Sequence, residues 1–167
     1  INDPKTWLPE DAPAEKITKG QRRRATVARC YFLLLWHMGC RRGALASLKW
    51  SEIKPDHTNQ KEWLWYRPTS KNDDPLEIPV SSYAKALLEE LEPITKESGF
   101  VFPSRRKDGQ TGHRSDSWKP VTRLQKASGV TDFTNHAVRK TISTYMTRTL
   151  DISNDVVTAI LNHRLPG

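Results

Sequence analysis

From Gln21 onward apolar residues recur at helical spacing. Ala25, Val27, Ala28, Tyr31, Phe32 and Leu35 form one broad stripe, and residues 32–36 are apolar all round, as in a helix buried in a larger core. Arg22, Arg23 and Arg24 open this helix, Gly39 breaks it, and residues 42–48 read as a short second one. Residues 62–66 and 76–80 are rich in strand formers, and the turn-forming stretch 70–75 between them predicts a β-hairpin with Lys71 near its tip. Ser81 or Ser82 caps a helix with Ala84, Leu87, Leu88 and Leu91 inside, ended by Pro93. A short extended piece (100–103) leads into a basic loop at 105–109 and a helix near 115–128 that stops at Gly129. A helix at about 135–149 turns Val138, Ile142, Tyr145 and Met146 inward, and Ser153 caps a last one burying Val156, Val157, Ile160 and Leu161. The pattern predicts a mainly α protein with a small antiparallel β-sheet, an α+β fold.

Residues 1–20, with Pro4, Pro9 and Pro13 among scattered charges, read as a linker or N-terminal arm ahead of one domain over 21–167. The chain opens on Ile1 and not on Met, so a further segment is expected upstream. The apolar run 31–36 is far short of the ~20 residues that a membrane span needs, and no signal peptide opens the chain. Cys30 and Cys40 make neither a disulfide framework nor a zinc set, and read as reduced core thiols of an intracellular protein. The five histidines show no metal-ligand spacing, so neither a metal nor a cofactor is expected.

Charge adds a partner to this picture. The net charge is +8, of which residues 1–100 contribute +2 and residues 101–167 contribute +6. Such a basic stretch suits a polyanion, because counterions are released when Lys and Arg meet phosphates. Fourteen aromatic residues argue against a disordered basic tail.

Four polar features sit oddly against the core pattern. Gly39-Cys40-Arg41-Arg42-Gly43 puts two arginines where a buried helix meets a short one, which is costly unless they face a partner or a cleft. Lys71 projects from a hairpin, His136 and Arg139 lie three apart on one helix, and His163 follows Leu161-Asn162 at a helix end. In this order they resemble the catalytic domain of the tyrosine recombinase (phage integrase) family. Leu33 to Ile53 is similar to the first box, with Arg41 as its arginine. Thr69-Ser70-Lys71-Asn72 through Ile78-Pro79-Val80 is similar to the family's lysine hairpin, and Phe133 to Thr141 to the box holding His136 and Arg139. Leu161-Asn162-His163 resembles the family's Leu-Gly-His.

The resemblance implies the recombinase catalytic-domain fold and site-specific DNA recombination, as in integration or excision of a mobile element such as a prophage. A tyrosine attacks a DNA phosphodiester, forms a 3′-phosphotyrosyl bond and frees a 5′-hydroxyl; a second 5′-hydroxyl reverses the step. Arg41 and Arg139 would clamp the non-bridging oxygens with always-charged forks, each worth on the order of 10²–10³ in rate. His136 or His163 would take the phenolic proton, Lys71 would protonate the leaving oxygen, and His163 would also hydrogen-bond the phosphate. Arg22, Arg23, Arg24, Arg105, Arg106, Lys107 and Arg123 are expected along the DNA backbone, setting register without reading sequence.

Three departures from the family pattern matter. The nucleophile is expected a short distance past His163, beyond Gly167, so this chain is expected to bind DNA without cleaving it. Ala44 stands where the family commonly has an acidic residue that steadies the first arginine, and Asn162 replaces the usual Gly. The alternative is a DNA-binding or regulatory module that kept the fold and lost the chemistry; type IB topoisomerases share a similar site. The implied partners are double-stranded DNA and, for the whole protein, three further copies in a tetramer, with this fragment a monomer. An upstream core-binding domain, absent here, would complete a clamp on DNA in the bacterial cytoplasm at the nucleoid.

Overall fold

The computed structural model describes residues 7–8, 17–55, 62–68, 75–105, 111–113 and 119–161. Helix α1 (Lys19–Met38) starts two residues earlier than the apolar stripe predicts, because Thr18 and Gln21 close a reciprocal cap. The Gln21 amide donates to Thr18 Oγ1 at 3.2 Å and the Thr18 amide to Gln21 Oε1 at 2.8 Å. Residues 30–35 are all buried, but Trp36 is 45% exposed, so the all-round apolar stretch ends one residue sooner than expected. Gly39 stops the helix in the left-handed region at φ 57°, and α2 (Arg42–Ala46) follows.

A three-stranded antiparallel sheet comes next, in the order β1 (Ile53–Pro55), β2 (Trp63–Arg67), β3 (Leu76–Val80). The expected hairpin is β2–β3, in register Trp63↔Val80 and Trp65↔Ile78; its tip, with Lys71, lies outside the described residues. Strand β1 escapes a pattern reading because three residues are too few to show a period of two. Ser81, not Ser82, caps α3 (Ser82–Thr95), its Oγ accepting from the Ala84 amide at 3.2 Å. Ser81→Ala should cost about 1 kcal/mol of stability in urea unfolding.

Pro93 does not end α3 but sits inside it. A proline in the last turn removes one backbone bond. The helix beyond it is held by Thr95, whose hydroxyl donates to the Leu91 carbonyl at 3.2 Å and accepts from Trp50 Nε1 at 3.3 Å. A second hairpin, β4 (Pro103–Arg105) with β5 (Thr111–His113), flanks the basic loop, where only a short extended piece was expected.

Helices α4 (Lys119–Ser128), α5 (Asn135–Arg148) and α6 (Asn154–Ile160) complete the chain. In α5 Val138 and Ile142 are buried, but Tyr145, expected inside, is 53% exposed. The chain leaving the helix folds back on the Met146 side, with the Ile152 amide bonded to the Met146 carbonyl, and leaves Tyr145 outside. In α6 only Val157 is buried, with Leu161 just past its end; Val156 and Ile160, expected inside, face outward. A seven-residue helix docks along one i, i+4 ridge and leaves the adjacent stripe open.

The core gathers Leu34, Leu45, Leu48, Trp65, Leu88, Leu91, Val101 and Phe102, none of them exposed, between α1, α2, the sheet and α3. Trp7, from the segment read as an arm, belongs to it and stacks on Phe32 at 5.3 Å between ring centroids. Both cysteines are buried free thiols. No helix among the described residues is long and apolar enough to cross a membrane.

Candidate active site

Two distant stretches of chain meet where α1 gives way to α2. Gly39 reverses the backbone, Cys40 turns inward, and Arg41 becomes the N-terminal flanking residue of α2 in extended conformation (φ −66°, ψ 136°). Arg139 arrives from the second turn of α5, which Thr134 caps through its hydroxyl and the Ala137 amide at 3.1 Å. Its guanidinium is threaded between elements. Nη1 donates to the Gly39 carbonyl at 2.8 Å and Nη2 to the Leu161 carbonyl.

A cleft of about 290 Å³ opens beside this junction. Three arginines line it, Arg41, Arg67 and Arg139, against an apolar wall of Leu76, Ile78, Ile160 and Leu161. Among the described residues no carboxylate lines the cleft. Arg139 is only 9% exposed; burial pushes its pKa below the ordinary arginine value, and the charge of Arg41 pushes the same way. Both effects disfavour the cation, and both are relieved by an anion placed between the two guanidinium groups. Cys40 is no counter-ion, because burial pushes its thiol up to about 12 and keeps it neutral at physiological pH. The arrangement offers donors suited to a compact anion with several acceptor oxygens.

Inorganic sulfate should therefore raise the melting temperature relative to chloride at equal ionic strength. At ten times its dissociation constant the gain is about 1.4 kcal/mol, or about 3–6 °C for a chain of this size. Scanning calorimetry with and without sulfate checks this, and Arg41→Ala should remove most of the difference.

The cleft unites two of the five catalytic candidates, Arg41 and Arg139. His136 lies nearly one turn earlier on α5 and is exposed, while Arg139 is buried, and His136 is not among the described residues that line the cleft. Lys71 and His163 lie outside the described residues, as do Arg106 and Lys107 and the side chains of Arg105 and Arg123. Arg22, Arg23 and Arg24 are exposed at the start of α1, where Arg23 donates to the Ile94 carbonyl in the last turn of α3. None of the four tyrosines lines the cleft. Tyr31 is core, edge-on to Phe32 and Phe102, with its hydroxyl donating to the Arg42 carbonyl. Among the described residues no group of three His, Cys, Asp or Glu is placed to hold a metal ion.

Arg67 was not anticipated. It closes β2, where the sequence shows only a basic residue after a run of strand formers.

The sequence profile of the phage integrase family matches residues 11–166. A search of curated proteins gives no match. Among solved structures the fold is similar to the XerH site-specific recombinase bound to difH substrate in a pre-cleavage complex, with TM-score 0.67 and 15% identity over 95% of this chain and 48% of that one. The XerH post-cleavage complex with palindromic difH gives TM-score 0.67 and 16% identity, over 95% and 47% of the two chains. A lambda integrase dimer bound to a COC′ core site gives TM-score 0.60 and 22% identity, over 83% and 39%. The chain spans about half the length of the XerH chains, and at these identities the likeness is one of fold.

Proposed function

Since the chain belongs to the phage integrase (tyrosine recombinase) family, we propose that its cleft holds a DNA phosphodiester for strand cleavage and rejoining during site-specific recombination. The observation that carries this reading is the convergence of Arg41 and Arg139, from opposite ends of the domain sequence, on one cleft without a carboxylate among the described residues. Two guanidinium groups on the non-bridging oxygens stabilise the charge that gathers there as phosphorus becomes five-coordinate.

A tyrosine oxygen bonds to phosphorus, the P–O5′ bond breaks, and a 3′-phosphotyrosine and a 5′-hydroxyl result. His136 or His163 takes the phenolic proton, and Lys71 gives one to the departing 5′-oxygen. None of the four tyrosines lines the cleft, which supports a nucleophile supplied from outside these residues. Double-stranded DNA is the partner, and the exposed cations Arg22 and Arg24 meet its backbone beyond the scissile phosphate.

The test is a suicide duplex carrying the candidate attachment site, incubated with a form of the chain that continues to a tyrosine past His163. A covalent protein–DNA adduct on that tyrosine is expected. Intact DNA binding with no adduct would sink the recombinase reading in favour of a binding module, the alternative that Ala44 favours.

A further inference from the structure

Helix α2 is the element that carries Arg41, and it is only five residues long. A helix of that length does not hold itself. Two of its carbonyls, those of Gly43 and Ala44, accept from the hydroxyl of Ser47 just past its C-terminal end, at 2.9 and 3.2 Å. Arg67 then closes over the same end from β2. Its Nη2 donates to Ser47 Oγ at 2.7 Å and its Nη1 to the Ala44 carbonyl at 3.4 Å. A cation at a helix C-terminus also complements the helix dipole.

The other side of Arg67 is tied down as well. Its Nε lies 3.5 Å from Glu52 Oε1, with both side chains largely buried at 17% and 13% exposure. Glu52 is itself fixed, since Oε2 accepts from Trp65 Nε1 at 3.0 Å and from the Lys49 amide at 3.4 Å. A chain of contacts thus runs from the rigid sheet through Glu52 and Arg67 to the end of α2, and α2 starts at Arg41. Position 44 offers no carboxylate to hold Arg41 directly, but its backbone carbonyl is gripped.

We propose that Arg67 is a positioning residue for Arg41: braced on Glu52, it caps α2 and fixes the helix that presents Arg41 to the phosphate. The inference rests on the reading of the cleft as a phosphate site. The bonds from Arg139 to Gly39 and Leu161 use only its two Nη atoms, but Arg67, although it lines that cleft, has all three guanidinium nitrogens engaged, by Ser47, Ala44 and Glu52. It therefore acts through Arg41 and not as an independent phosphate contact.

The test is a double-mutant cycle on this chain, using a short fluorescein-labelled duplex and fluorescence anisotropy over a series of salt concentrations. Arg41→Ala should weaken binding about tenfold, the weight of one charge-assisted contact, and lower the log–log salt slope by about 0.9. Arg67→Ala should do nearly the same, and the double variant no more than either alone. Arg67→Lys keeps the charge but lacks the planar fork that reaches Ser47 and Ala44 together, so it should stay near Arg67→Ala. Ser47→Ala, which leaves the Glu52 pair intact, should shift affinity in the same direction by less and guards against a variant that fails to fold.

Losses that add, with the slope falling by about two contacts, would make Arg67 an independent phosphate ligand and overturn the proposal. Full rescue by Arg67→Lys would reduce its role to charge and overturn it too. Unchanged affinity and slope in both Arg41→Ala and Arg139→Ala is a separate result. It overturns the phosphate reading itself, and the positioning role with it.

Discussion

Replacing Arg139 by alanine should lower the rate of covalent adduct formation by on the order of 10²–10³, while duplex binding falls by much less. The asymmetry follows from where the charge develops. A guanidinium aimed at the non-bridging oxygens matters most when phosphorus is five-coordinate, whereas flanking phosphates hold the ground-state complex. An equal loss in adduct and affinity would make Arg139 a ground-state binding residue. The same substitution acts on the fold. It strands the carbonyls of Gly39 and Leu161, each of which accepts from Arg139, at about 1–3 kcal/mol per unsatisfied group. Removing a buried cation offsets part of this, because burial and Arg41 already disfavour that charge. The net expected in urea unfolding is a loss of about 2–3 kcal/mol. A parallel series with saturating sulfate should enlarge the gap, since only the wild-type chain holds the anion well.

Gly39→Ala should be comparably damaging to stability although it adds one methyl group. The residue sits at φ 57°, where a side chain costs about 1–2 kcal/mol. The new Cβ would also lie 3.3 Å from Leu161 Cδ2 and 3.6 Å from Ile142 Cγ2. Leu161 is 2% exposed and has little room to retreat. Together these give about 2–3 kcal/mol in urea or thermal unfolding. Gly99→Ala supplies the control: its φ is 76° but nothing lies within 4 Å of the added carbon, so only the backbone part should remain. If both substitutions cost the same, the contact with Leu161 has no weight. A shift of Leu161 would also move its carbonyl away from Arg139, so adduct formation should fall with stability in Gly39→Ala and not in Gly99→Ala.

What the chain revealed in advance follows the length of each pattern. Helix α1 was plain because its apolar residues persist over several turns, and the β2–β3 hairpin because two strand-forming runs bracket a turn-rich stretch. Strands β1 and β5, three residues each, carry too little repetition to stand out. Tyr145, Val156 and Ile160 were misassigned for a different reason. A periodic stripe shows which residues could be covered, but whether anything covers them depends on the turn after α5 and the docking edge of α6. At the site, Arg41 was legible as a charge beside a glycine break, and Arg139 only through its place in the order of motifs that resembles the family. Arg67 and Glu52 were not. Each is an ordinary charged residue at an element's end, and their pairing across the sheet exists only in three dimensions.

On the proposed reading of the cleft, the bond from Arg139 to the Leu161 carbonyl would make the end of α6 a participant in ligand binding. One guanidinium would then serve two equilibria, the docking of a seven-residue helix and the proposed capture of a phosphate. By reciprocity, whatever free energy a docked α6 adds to phosphate affinity, a bound phosphate must return to α6. Fraying of that helix and emptying of the cleft are then one coupled event. Amide hydrogen exchange in α6 should slow as the cleft fills, reporting occupancy from the helix whose end forms part of its apolar wall.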